Sequence, residues 1–251
     1  MKNAFKASRL IGLLALALGL MAFSAAAAQA EPGAYWEVEF ENKVTKKFET
    51  TKILDGTLLP EIQAKNDTAE SVLLTKVGTS SVEILCKPIK FVGAKLHELG
   101  RATGKIHYEE CITKLNGVEA ARCKPKSIGA SVPLGLIETN ALEGLIKLHE
   151  LPGGTKDDVL ELAPVAAAEN KFVTLELGTL CAIGNKFDIT GKAFLEDCQH
   201  EGLVNKVEHL FQEEKELSKL LFGGNAATID GSAWGFLIGA HLGMKFSGHP
   251  N

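Results

Sequence analysis

Period-two alternation of apolar and polar positions recurs along this chain and predicts a series of short β-strands. Tyr35-Trp36-Glu37-Val38-Glu39-Phe40 alternates in the way a half-buried strand does. Residues 41–81 are polar and weakly patterned, with Asp55-Gly56 as a turn signal, so irregular structure is expected there. Strand patterning resumes at Val82-Glu83-Ile84-Leu85-Cys86. It returns at Leu145–His149, Val159–Leu162, Phe172–Leu177 and Lys186–Thr190, each run closed by Gly or Pro within a few residues. Asn116-Gly117 is a strong hairpin signal. The chain closes with residues 226–246, which Asp230-Gly231 and Gly239 divide into two or three further strands, with Trp234 and Phe236 as expected core anchors.

One segment changes period. Leu203, Val204, Val207, Leu210, Phe211, Leu217, Leu220 and Leu221 form a 3.6-residue stripe, with Glu213, Glu214, Lys215 and Lys219 opposite and Gly223-Gly224 as a stop. This predicts an amphipathic helix near 203–222, packed on a sheet or plugging its end. Its balanced polar face argues against docking on a membrane. The expected fold is therefore mostly β: an antiparallel β-sandwich or barrel, disulfide-braced, with one C-terminal amphipathic helix. The expected division is 1–30 as a signal peptide, 31–81 as an N-terminal strand and irregular segment, and 82–251 as a β-rich domain.

The address comes from the first thirty residues. Lys2, Lys6 and Arg9 make a positive start, Leu10 to Phe23 is an uncharged Leu/Ala-rich run, and Ala28-Gln29-Ala30 is a small-x-small cleavage pattern. Cleavage between Ala30 and Glu31, with secretion of a chain not stably inserted in the membrane, is the expectation. It removes three positive charges and no acidic ones, so a formal charge of -4 becomes about -7. An acidic chain without a Lys/Arg cluster is repelled by phosphate backbones, so nucleic acid is not an expected partner.

Five cysteines, Cys86, Cys111, Cys123, Cys181 and Cys198, lie in the exported part, where disulfides form by default. Their odd number leaves one thiol over, a candidate for a disulfide-linked dimer. A short internal repeat bears on the pairing. Thr103-Gly104-Lys105-Ile106-His107-Tyr108-Glu109-Glu110-Cys111 aligns without gaps to Thr190-Gly191-Lys192-Ala193-Phe194-Leu195-Glu196-Asp197-Cys198. A strand that leaves a glycine turn and is tied at its end by cysteine would pair Cys86 with Cys111 and Cys181 with Cys198, leaving Cys123. The Asn116-Gly117 hairpin offers the other solution, Cys111 with Cys123, with Cys86 turning to Cys181 or Cys198. Both stay open, because connectivity is not contained in spacing.

Catalytic motifs are not found. Gly129-Ala130-Ser131-Val132-Pro133 begins like a nucleophile elbow but lacks the closing glycine. There is no phosphate loop, dinucleotide fingerprint or metalloprotease motif, and no pair among the seven histidines stands at metal-ligand spacing. No cofactor and no metal is implied. Glu196-Asp197-Cys198-Gln199-His200 is the densest reactive cluster, so Glu196, Asp197 and His200 are the candidate acid–base residues. The acidic pair recurs at Glu109-Glu110 beside another cysteine, which favours reading both pairs as solvated strand-end carboxylates. His107-Tyr108 and Tyr35-Trp36 could form a sugar-stacking platform, although core positions explain these aromatics more cheaply.

Phe194-Leu195-Glu196-Asp197-Cys198-Gln199, His209-Leu210-Phe211-Gln212-Glu213 and Ala227-Thr228-Ile229-Asp230-Gly231-Ser232-Ala233-Trp234 together resemble a group of uncharacterised secreted proteins from soil actinobacteria, over roughly residues 86–248. The resemblance implies export and a β-rich fold and carries no activity. The expected function is that of a secreted, non-catalytic binding or envelope-associated protein with an extracellular or cell-surface partner. The alternative is an extracellular hydrolase or glycan-processing enzyme using carboxylates at strand ends.

Overall fold

The computed structural model describes residues 33–53, 60–66, 70–129, 131–150, 156–165, 168, 170–196, 205–209 and 219–250. Residues 1–30, expected to be a signal peptide, lie outside them, as do Asp197, Cys198 and His200. The strands in chain order are β1 (Tyr35–Glu41), β2 (Phe48–Lys52), β3 (Glu61–Asn66), β4 (Ser71–Val77), β5 (Ser80–Cys86), β6 (Ile89–Leu96), β7 (Arg101–Tyr108), β8 (Ile112–Leu115), β9 (Val118–Glu119) and β10 (Lys126–Ser127). They continue with β11 (Ile137–Glu138), β12 (Leu142–Glu150), β13 (Lys156–Pro164), β14 (Lys171–Glu176), β15 (Lys186–Thr190), β16 (Ala193–Glu196), β17 (Asn205–His209), β18 (Leu220–Phe222), β19 (Asn225–Leu237) and β20 (Phe246–His249). Every strand predicted from alternation is present. The stretch expected to be irregular, 41–81, instead supplies β2, β3 and β4. β3 and β4 each pair with the distant β19, which local patterning does not reveal, and β2 pairs with β1.

All pairings are antiparallel. Starting at β3, neighbours run β6, β7, β12, β13, β16, β17 and β19, and β19 pairs back to β3, so the succession closes on itself as a ring of eight strands. A second succession runs β9, β8, β5, β4, β19, β18, β15, β14 and β10. The 13-residue strand β19 belongs to both: Ala227–Asp230 pair with β4, and Ala233–Leu237 pair with β3. Gly231 stands at the change-over with φ of +145°, and a Cβ there would lie 2.8 Å from the Ser71 Cα, so the crossing needs glycine. A separate small sheet, β2–β1–β20, brings Trp36 and Phe246 into the core, where the Trp36 Nε1 donates to the Arg101 carbonyl at 2.7 Å.

The helix expected near 203–222 is not seen among the described residues. Asn205–His209 is β17 and Leu220–Phe222 is β18; residues 203–204 and 210–218 lie outside the described residues. The physical reason is edge satisfaction: β17 pairs with β16 on one side and β19 on the other, so a strand here joins two otherwise unpaired edges. Helical structure among the described residues is confined to short 3-10 turns such as Ala121–Cys123 and Gly239–His241. None of the described helical segments is long and apolar enough to cross a membrane. Trp234 and Phe236 are also not the anchors expected. Alternation along β19 buries Ala233 and Leu237 and leaves the two aromatics half-buried on the opposite face.

Two disulfides join Cys86 to Cys111 and Cys123 to Cys181. The first is the bond the repeat predicted: the β5–β8 register sets Leu85 opposite Ile112, which brings the next pair of positions together. The second overturns both Cys111–Cys123 and Cys181–Cys198. After two residues of β9 the chain leaves the hairpin for the 3-10 turn that ends at Cys123, carrying it away from Cys111. Cys123, Leu177 and Cys181 form a satellite core there. A Cβ on Gly178 would meet the Arg122 carbonyl oxygen at 2.1 Å, so only glycine lets these segments approach closely enough.

Candidate functional site

The two copies of the repeat fall on β7 and on the end of β15 through β16, and these strands flank the β12–β13 hairpin on its two edges. Gly104 lies inside β7, whereas Gly191 sits between β15 and β16, so the predicted glycine turn exists in the second copy only. The lysine of each copy reaches a carboxylate on the neighbouring strand: Lys105 Nζ lies 2.6 Å from Glu138, and Lys192 Nζ lies 2.7 Å from Glu161. Glu161 is also met by Lys147 at 3.1 Å, and Glu138 by His107 Nε2 at 2.7 Å. Arg101 binds Glu143, its Nε donating at 2.6 Å.

These contacts fix the acidity of the carboxyls. The hydrogen bond from Lys105 holds Glu138 below the ordinary glutamate range against the opposing effect of burial. Burial works against the ionised form of Glu161, but hydrogen bonds from Lys192 and then Lys147 outweigh it and hold this carboxyl low as well. Asp188 is lowered chiefly by a hydrogen bond from the Thr174 hydroxyl, at 2.5 Å. All three stay ionised and paired at neutral pH, which is the reverse of what a general acid requires.

Of the predicted site residues, Glu196 ends β16 opposite Glu208 of β17, and Asp197 and His200 lie outside the described residues. The matching pair in the first copy has a structural role: Glu109 forms an ion pair with Lys90 at 2.7 Å, and Glu110 takes a turn conformation with φ of +50°. The aromatic platforms do not form. Tyr108 is buried, and burial pushes its hydroxyl far above its ordinary acidity range. Trp36 is in the core. Tyr35 stacks on His249 at 4.6 Å, with the Lys52 ammonium 3.5 Å from its ring centroid, so groups of the chain itself engage its ring.

A Ser–His–Glu grouping does arise beside Tyr35, on the small sheet. His249 Nε2 lies 2.9 Å from Ser247 Oγ and 3.2 Å from Glu37 Oε2. A hydrolytic relay places serine and carboxylate on opposite ring nitrogens. Here both meet the same nitrogen, so the carboxylate competes with the serine and does not orient the ring for it. No signal in the sequence marks this group, because β1 and β20 come from opposite ends of the chain.

Concave features among the described residues include one of about 270 Å³ beside the Ser–His–Glu grouping, lined by Glu37, Thr50, Lys245 and Ser247 among others. A void of about 70 Å³ is lined by residues of the eight-strand ring, Ala94, Ala102, Leu142, Leu160 and Leu195 among them, with Trp36 and Phe246 on its border. A second, of about 60 Å³, lies between the ring and the other succession, near Ile84, Tyr108, Phe172 and Ile229. A wide trough of about 1100 Å³ crosses β5, β4, β19 and β18, and Thr228 on its wall has a buried Oγ1 without a hydrogen-bond partner. No cluster of three or more metal-ligating side chains occurs among the described residues. No protein-family model, no curated protein and no solved structure matches this chain.

Proposed function

We propose that this is a secreted, non-catalytic binding or envelope-associated protein, built on a small β-barrel formed by the eight-strand ring. The observation that carries the reading is the state of the carboxylates. Glu138, Glu161 and Asp188 are held ionised by lysines or a hydroxyl, and Glu37 shares the wrong imidazole nitrogen with Ser247. Such groups brace a sheet and recognise charge; they do not deliver a proton to a leaving group. The ring of pairings supports the barrel, since eight strands is the number at which side chains just fill the interior. The two disulfides support maturation in an oxidising compartment, in keeping with the export signal read at residues 1–30. The resemblance to secreted actinobacterial proteins points the same way.

The exported protein is expected to begin at Glu31 by intact mass and to co-sediment with envelopes of its own host. Glu196→Gln, Asp197→Asn and His200→Ala are expected to leave that co-sedimentation unchanged. Hydrolysis of envelope glycan by the purified protein, lost in any of these variants with folding intact, would establish the hydrolase alternative instead.

A further inference from the structure

We propose that the interior of the eight-strand ring is a binding site for small apolar molecules, the size of a short alkyl chain or one aromatic ring. The void there measures about 70 Å³, and a second of about 60 Å³ adjoins it, Ile106 and Leu162 lining both. Joined, they would approach the roughly 150 Å³ of an engineered apolar cavity that stays dry and takes up benzene or xenon. Water needs two to four polar partners to settle in such a space. The ring void does not supply them: its border is aliphatic and aromatic apart from Thr103, whose hydroxyl is engaged by His97, and Lys105, whose ammonium is bound to Glu138.

The space is set by small residues where larger ones would close it. Ala102 and Gly104 of β7, Ala94 of β6 and Gly144 of β12 all stand on its wall. Protein interiors ordinarily fill such gaps to crystal-like density. The wall also has a weak place. β3 and β6 pair where Glu61-Ile62 meets Ala94-Lys95, with one more backbone bond from the Leu96 N–H to the Pro60 carbonyl, and β6 is bulged between Val92 and Lys95. Ile62 and Phe91, both half-buried, border the void on either side of that short seam, which makes them the mouth.

This names a ligand class for the binding function above and depends on that reading only for its biological meaning. Occupancy is measured on the disulfide-intact exported protein by methyl-resolved NMR, under xenon pressure and then with benzene. Saturable shifts are expected at Ile106, Leu142, Leu160, Leu162 and Leu195, and not at the exposed Val118 and Leu180. Ala102→Leu, or the milder Ala102→Val if the first does not fold, is expected to abolish the xenon response. Leu162→Ala joins the voids and is expected to strengthen the benzene response. Shifts that never saturate, that reach the surface methyls equally, or that persist in the folded Ala102 variant overturn the proposal. Long-lived water detected beside Leu160 would do the same. Envelope binding is scored separately, so either result can fail without the other.

Discussion

At Glu161 two lysines outweigh burial for possession of one carboxylate, and the outcome is a stabilising charge that pH can remove. The side chain is 7 % exposed and receives Lys192 at 2.7 Å and Lys147 at 3.1 Å. Its folded acidity lies below that of the unfolded chain, so its contribution is complete above the ordinary glutamate range and is lost as pH falls through the lowered folded value. Glu161→Gln is expected to cost about 1.5–3 kcal/mol in urea unfolding at pH 7, the range for hydrogen bonds to charged groups. The deficit relative to the native protein should shrink as pH falls from the ordinary glutamate range, about 4.3, through the lowered folded value. A deficit constant down to pH 2 would mean that shape, not charge, holds this place. His97 adds to the same loss on acidification, in a higher pH range. Burial, and then the nearby Arg101, keep its imidazole neutral beside the Thr103 hydroxyl, so acidification below the ordinary histidine range penalises the folded form there.

Among the elements, β19 does most to join the molecule. Its first half completes one succession of strands and its second half closes the other, and Gly231 is the point of transfer. Gly231→Ala combines a backbone conformation that costs side-chain-bearing residues about 1–3 kcal/mol with a Cβ pressed against the Ser71 backbone. It is expected to lower stability by at least that amount, read as an earlier urea midpoint. Amide exchange should speed up in β3 and β4 together, because both lean on the same strand. Exchange that changed in β4 alone would show that the two successions unfold independently. The strand at Asn205–His209 makes the companion point. A local 3.6-residue stripe predicts a helix, yet two waiting strand edges offer the backbone a complete set of hydrogen-bond partners, and the edges prevail.

For the molecule as a whole, the disulfides act on the unfolded chain. Loops of 25 and 58 residues closed by Cys86–Cys111 and Cys123–Cys181 correspond to about 3–4.5 kcal/mol each in the chain-entropy account. Cys123→Ala with Cys181→Ala is expected to lower the melting temperature more than Cys86→Ala with Cys111→Ala, since the longer loop is released. Alkylation before reduction, followed by peptide mapping, should label Cys198 alone or find it in an intermolecular bond; labelling at Cys181 would contradict the pairing. The chain's own sequence determined where β1, β5, β12, β13, β14 and β15 lie, because alternation is a local property that these strands carry in full, whereas β2, β3, β4 and β17 were not legible in this way. Tyr35–Phe40, Val82–Cys86 and Lys186–Thr190 were readable for that reason, as was the likeness of the two Thr-Gly-Lys segments. It could not determine which edges meet. Tertiary structure alone decided that Cys123 joins Cys181, that Lys192 reaches Glu161, that His249 faces Glu37 and that the eight-strand ring closes. Each of these depends on register and on contacts between residues far apart in sequence, and neither is encoded in any local stretch of the chain.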